Sequence, residues 1–237
     1  MKGRSRGDHR QACSDTCDLT QFESVAHAKS VIRRSNGFDD CVKQELTAAV
    51  EQSEQFTADL AFVLSSISRS RALHEAIARE IGHDNPQAAF TLTRQFAETV
   101  ALIRYTADHP RYFDTVVRDP QDLEPGMMRH RSTQALINHM DSKYSTQFKP
   151  VYAQLCDMSH FGATAVWNAH RVESEEEMRT SWSSAPRWRS DEECLIACAQ
   201  LLELSEEMER SLKALVWVTL TGSTGALSEG SGHARTG

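Results

Sequence analysis

Apolar residues along this chain recur at intervals of three and four, the spacing of one helix face, and no stretch shows the apolar–polar alternation of a half-buried strand. The pattern predicts helices over residues 20–35, 38–68, 70–81, 86–107, 111–117, 125–143, 150–170 and 190–221. Local chemistry supports several of the ends. Thr20 and Glu23 stand at capping-box spacing, and Asn36-Gly37 closes the first helix. Gly82 stops the third, Asn85 and Pro86 suit the N-cap and first position of the fourth, and His109-Pro110 ends it. The last helix opens on a second capping box, Ser190 and Glu193, has acidic residues in its first turn, and is followed by Gly222. The expectation is all-α: a single bundle of about six to eight helices over residues 18–222, flanked by disordered tails at 1–17 and 223–237.

Two of these helices carry polar groups where a buried helix ordinarily has none. Residues 86–107 are apolar nearly all round, with Leu92, Phe96 and Ile103 on one side and Phe90, Ala97, Ala101 and Tyr105 on the other, which marks a central helix. Arg94 and Glu98, one turn apart, fall within the second face, so they pair among apolar neighbours rather than on a solvated surface. Residues 150–170 present Tyr152, Leu155, Cys156, Ser159, Ala163, Val166 and His170 on one side, flanked by His160 and Trp167. A buried polar group without a partner costs about 1–3 kcal/mol, so each helix is the natural source of partners for the other. The prediction is a buried polar centre in which Arg94, Glu98 and Tyr105 face Tyr152, Ser159, His160 or His170. Two roles stay open for Arg94 and Glu98: an internal ion pair that sets helix register, and a ligand site.

Arg94-x-x-x-Glu98 followed by Tyr152-x-x-Leu155-Cys156-x-x-x-His160 resembles a bacterial all-helical family of unknown function, in which an Arg-x-x-x-Glu helix precedes a Tyr-x-x-Leu-Ser-x-x-x-His helix. The resemblance covers about residues 60–220, and Cys156 stands where the pattern has Ser, which weakens hydrogen bonding there. The chain also resembles, more loosely, HEPN-type helical domains, some of which are ribonucleases or partners of nucleotidyltransferases. Those ribonucleases share an Arg-x(4–6)-His motif whose cation and imidazole act at the scissile phosphate. Arg104-x-x-x-x-His109 has that spacing, at a helix end.

Composition narrows the functional class. The 237 residues are 40% hydrophobic, enough for one good core. A formal net charge of −7 argues against non-specific nucleic-acid binding by the whole surface, although a local basic patch survives such a balance. No apolar run nears the roughly 20 residues that span a bilayer, and no apolar segment follows the basic MKGRSRGDHR. No membrane role and a cytoplasmic location are therefore expected.

Metal chemistry is weakly signalled. Cys13/Cys17 and Cys194/Cys198 are Cys-x-x-x-Cys pairs, and His9 extends the first, but structural zinc favours Cys-x-x-Cys and no fourth ligand stands out. Glu-x-x-His, which a di-iron carboxylate bundle needs twice, is absent, as are Gly-rich phosphate loops and nucleophile elbows. No metal and no cofactor are expected. Residues 171–189 are the least regular stretch, with Trp182, Pro186 and Trp188 among Ser, Glu and Arg; the tryptophans either cap the bundle or anchor a protein partner. Leu201, Leu204, Met208, Leu212, Leu215 and Thr219 recur at heptad-like spacing, to pack within the bundle or against a second copy, and a homo-oligomer is expected. The functional expectation is a non-enzymatic accessory or regulatory protein with a polar pocket lined by Arg94, Glu98, Tyr105, Tyr152 and His160. The alternative is a HEPN-like ribonuclease of toxin or defence type, with Arg104 and His109 catalytic and RNA as its partner.

Overall fold

The computed structural model describes residues 18–35, 44, 48, 57–118, 121, 127–160, 170–174, 176–177 and 179–229. Seven α-helices lie among them: α1 (Val25–Arg34), α2 (Ala58–Gly82), α3 (Pro86–Asp108), α4 (Phe113–Val117), α5 (Thr133–Lys143), α6 (Phe148–Ser159) and α7 (Asp191–Glu229). The protein is an all-α bundle, as its periodicity requires. Its axis is α3, which packs against α2, α5, α6 and α7. The apolar girth of α3 explains that position: Ala89, Phe90, Phe96, Val100, Ala101 and Ile103 are all buried. Asn85 Oδ1 caps it by accepting from Ala88 N at 3.3 Å, Pro86 fills its first turn, and the chain leaves helical geometry at His109, before Pro110.

The second organising element is α7, which packs against α1, α2 and α3. Leu201, Leu204, Met208, Leu212, Leu215 and Thr219 are buried, so the heptad-like seam is used up inside the bundle and leaves no such stripe for a second copy. Each fully buried aliphatic side chain of this kind contributes about 1.5–3 kcal/mol. The start of α7 is held by the expected Ser190 and Glu193, except that Glu193 reaches back to the backbone N–H of Arg189 rather than of Ser190. Ser190 Oγ accepts from Glu193 N at 3.2 Å, and Glu193 accepts from Arg189 N at 2.8 Å.

Several element limits depart from the sequence expectation. A break at residues 68–70 does not occur: α2 is continuous, because Ser70 Oγ donates to the Ser66 carbonyl at 2.7 Å and so satisfies its hydroxyl within the helix. Thr20 and Glu23 form no capping box. Leu19–Gln21 is a 3₁₀ turn capped by Asp18, and α1 opens behind Ser24, whose Oγ accepts from His27 N at 3.1 Å. The start expected at residue 125 moves to Thr133, where Ser132 supplies the cap. At the far end, α7 runs through Gly222 to Glu229, so the expected stop and the disordered stretch at 223–229 give way to helix.

The largest correction concerns residues 150–170. Helix α6 ends at Ser159, and His160 adopts an extended backbone with ψ 166°. His170 therefore lies outside that helix, in β1 (His170–Ser174), which pairs antiparallel with β2 (Arg179–Trp182). His170 faces Trp182 in the register, and an irregularity falls between Val172 and Ser174. No strand was expected here because neither segment alternates apolar with polar residues. The part of the expected helix at 38–56, apart from positions 44 and 48, and the tails at 1–17 and 230–237, with His9, Cys13 and Cys17, lie outside the described residues. No helix among the described residues is long and apolar enough to cross a membrane.

Candidate functional site

Helices α3 and α6 run antiparallel, and two polar contacts tie them. Near the start of α6, the Tyr152 hydroxyl donates to Glu98 Oε1 at 2.7 Å. At its end, Arg94 Nη1 donates to Ser159 Oγ at 3.1 Å and to His160 Nε2 at 2.7 Å. Because a guanidinium only donates, His160 Nε2 accepts, and the neutral imidazole carries its proton on Nδ1. Arg94 Nε lies 3.4 Å from Glu98 Oε1 in an i,i+4 ion pair, but its N–H meets no aligned acceptor. The position of the cation is favourable, since the last carbonyls of α6 carry partial negative charge. Burial, reinforced by the bond to Glu98 and by Cys156, pushes the Tyr152 phenol well above its ordinary value, so Tyr152 keeps its proton and acts as a donor.

Four of the five expected pocket residues, Arg94, Glu98, Tyr152 and His160, are thus brought together, and Ser159 joins them. Tyr105 is not among them. Because the helices are antiparallel, moving from Glu98 towards Tyr105 on α3 passes the start of α6, and the partners there come from α5 and the segments around it. The Tyr105 hydroxyl accepts from Arg131 Nε at 3.0 Å, and its ring stacks on His109 with centroids 4.1 Å apart.

That second cluster surrounds Asp108, at the last turn of α3. The Tyr144 hydroxyl lies 2.6 Å from both carboxylate oxygens, His139 Nε2 donates to Oδ2 at 2.7 Å, and Lys143 Nζ stands 3.0 Å away. Burial opposes the charge of Asp108, but the bonds from Tyr144, His139 and Lys143 outweigh it and hold its carboxyl below the usual range. Tyr144 and Asp108 in turn raise the Lys143 ammonium above its ordinary value. Arg104 and His109 both belong here. Arg104 lies 4.0 Å from the Tyr144 ring centroid and 4.0 Å from Asp108, and Nη1 donates to the Arg210 carbonyl of α7 at 3.4 Å. His109 Nδ1 donates to the Tyr105 carbonyl at 2.9 Å, which fixes the tautomer with Nε2 as the free acceptor in the neutral ring. The His109 and His139 rings sit 5.2 Å apart at 62°.

Sequence reasoning missed Asp108, Arg131, His139 and Tyr144, which are far apart in the chain and match no motif. It also missed His74, a 1% exposed imidazole on α2. His74 Nε2 donates to the Ile32 carbonyl at 3.0 Å and Nδ1 lies 2.9 Å from Ser205 Oγ, so one ring ties α1, α2 and α7 together. Burial, partly offset by the Ile32 bond, lowers its basicity. The two loop tryptophans behave differently. Trp188 packs edge-on against Phe90 with centroids 5.7 Å apart, while Trp182 stands 68% exposed on the hairpin. Comparison of the chain with protein-family models, with curated proteins and with solved structures finds no match.

Proposed function

We propose that this chain is a cytoplasmic bacterial accessory or regulatory protein that self-associates and binds a small polar ligand between Arg94 and Glu98. One observation carries the reading: the two charged groups are clamped in place yet half used. Arg94 employs only Nη1 in hydrogen bonds and leaves its buried Nε without an aligned acceptor, and Glu98 employs Oε1, while Nη2 and Oε2 have no hydrogen-bond partner among the described residues. The side chains keep 20% and 31% of their exposure, and His160 beside them is exposed. A ligand that offers an acceptor to Arg94 and a donor to Glu98 completes both groups without moving either, and such preorganisation favours affinity. Exposed Trp182 and Trp217, at 68% and 69%, support self-association through surfaces other than the α7 seam.

The test is a thermal-shift screen of small polar metabolites, with calorimetry on each compound that stabilises the protein. Arg94→Lys keeps the charge but loses the planar fork, and is expected to weaken binding at least about ten-fold, equivalent to about 1.4 kcal/mol. Unchanged affinity in Arg94→Lys and Arg94→Ala would remove the ligand site and leave a register-setting ion pair.

The ribonuclease reading has one observation in its favour, the fixed tautomer of His109, which presents a lone pair suited to general-base work. Against it, Arg104 is occupied by Asp108, Tyr144 and the Arg210 carbonyl. On that reading, purified protein cleaves single-stranded RNA and His109→Ala abolishes cleavage. An inactive wild type, or an active variant, rejects it.

A further inference from the structure

A cavity of about 550 Å³, lined by none of the residues of the two polar clusters, lies beside the segment that leads into α7. Val25, Pro186 and Trp188 give it apolar lining, Asp84 (paired with Lys29 at 2.6 Å), Arg187 and Asp191 give it charge, and Cys194 completes the lining. Cys194 is not alone. Cys198, one turn on, is buried beside it, and both thiols are free. We propose that this cavity binds a small zwitterionic disulfide and that Cys194 and Cys198 exchange with it as a dithiol pair.

Three features favour that ligand. The volume lies in the range of small-molecule sites, about 300–1,000 Å³. The lining offers a cation in Arg187 and carboxylates in Asp84 and Asp191, which complement a ligand bearing both charges. The thiol itself is prepared for exchange: the hydrogen bond from Cys198 outweighs burial and, with Lys29, lowers Cys194 below the ordinary thiol value. The same bond and burial push Cys198 up, so Cys194 is the attacking group and Cys198 the resolving one.

The exchange balances as follows. The Cys194 thiolate attacks one sulfur of R–S–S–R, the Cys194–S–S–R bond forms, the original S–S bond breaks, and RS⁻ leaves to take up a proton. Cys198 then gives up its proton and attacks Cys194 Sγ, expelling the second RSH and leaving a Cys194–Cys198 disulfide. Two protein thiols are oxidised and one small disulfide is reduced to two thiols. Residues four apart on a helix hold their Cβ atoms about 5–6 Å apart, whereas a disulfide needs about 3.5–4.5 Å. Closing the bond therefore loosens the first turn of α7, which begins only three residues before Cys194. Oxidation at the cavity is thus read out as a change at the start of the longest helix.

The experiment treats the folded full-length chain with cystine, a small disulfide bearing one ammonium and one carboxylate on each half, and follows each cysteine by peptide mass mapping. In Cys198→Ser the mixed disulfide is expected to accumulate on Cys194, about ten-fold faster than on the half-buried Cys156. In the wild type the adduct is expected to resolve to the Cys194–Cys198 disulfide. Filling the cavity by Val25→Trp, with the fold checked by circular dichroism, is expected to slow Cys194 labelling to the Cys156 rate. Labelling of Cys194 no faster than Cys156, a persistent wild-type adduct, or an undiminished rate in Val25→Trp would each overturn the proposal.

Discussion

Replacing Asp108 by Ala is expected to lower the unfolding free energy by about 3 kcal/mol, the range seen when one member of a buried charge network is removed. Its carboxylate is only 12% exposed and receives Tyr144, His139 and Lys143 at once, with Arg104 nearby. Without it, three cations or potential cations and a phenol face one another around an empty site. For a chain of this size the loss corresponds to a fall in melting temperature of about 6–12 °C. The sign with pH is fixed by the direction of the shift. Asp108 is held below its unfolded value, so its contribution is complete above about pH 4 and disappears as the pH falls through the lower folded value. Asp108→Asn, which keeps an acceptor for Tyr144, is expected to cost less. Equal, small losses in both variants, under about 1 kcal/mol by chemical denaturation, would mean that water replaces the carboxylate.

The second large effect is acid sensitivity traceable to His74. Its folded value is lowered by burial, whereas the unfolded imidazole titrates near pH 6.5. The unfolded chain therefore takes up the proton first, and stability falls as the pH drops below about 6.5, by up to about 1.4 kcal/mol per unit for one group. Protonated His74 would place a cation among Ile32, Ser35, Ser205 and the ring of Phe96, where burial outweighs the Ile32 carbonyl and Glu75 that favour the charge. Urea denaturation at about pH 5.5 and 7.5 measures the effect, and comparison with His74→Gln isolates it from the other histidines. If the variant shows the same pH dependence as the wild type, His74 is not its source.

Much of the architecture was legible because the helix period leaves a strong trace. The apolar girth of residues 86–107 marked α3 as central, and Asn85-Pro86 and Ser190/Glu193 marked the starts of α3 and α7. The Arg94–Glu98–Tyr152–His160 contacts were legible for a related reason: polar groups on two otherwise apolar faces can be satisfied only by each other. The errors fall where two signals compete. Periodicity was read straight through Gly162, a residue type common just past helix ends, so His170 was assigned to the wrong element. Conversely Gly222 was read as a stop although α7 continues. The division expected at residues 68–70 is absent because the Ser70 hydroxyl is satisfied within the helix by the Ser66 carbonyl. The Asp108 cluster left no trace because its members come from three separate stretches, and a single Asp, His or Tyr at a helix end looks like solvated surface until the packing is known.

Helix α3 carries both polar clusters on one rigid rod. Ten residues separate Glu98 from Asp108, a rise of about 15 Å, and no proline or glycine in that interval allows the rod to bend. Inserting or deleting one residue between them would turn one cluster by about 100° relative to the other while shifting it by only about 1.5 Å. Arg94 could then keep Ser159 and His160 only if Asp108 lost Tyr144 and His139, or the reverse. The interval is consequently tolerant in composition but intolerant in length, and natural relatives or engineered variants of this chain should differ there by substitution and never by a gap.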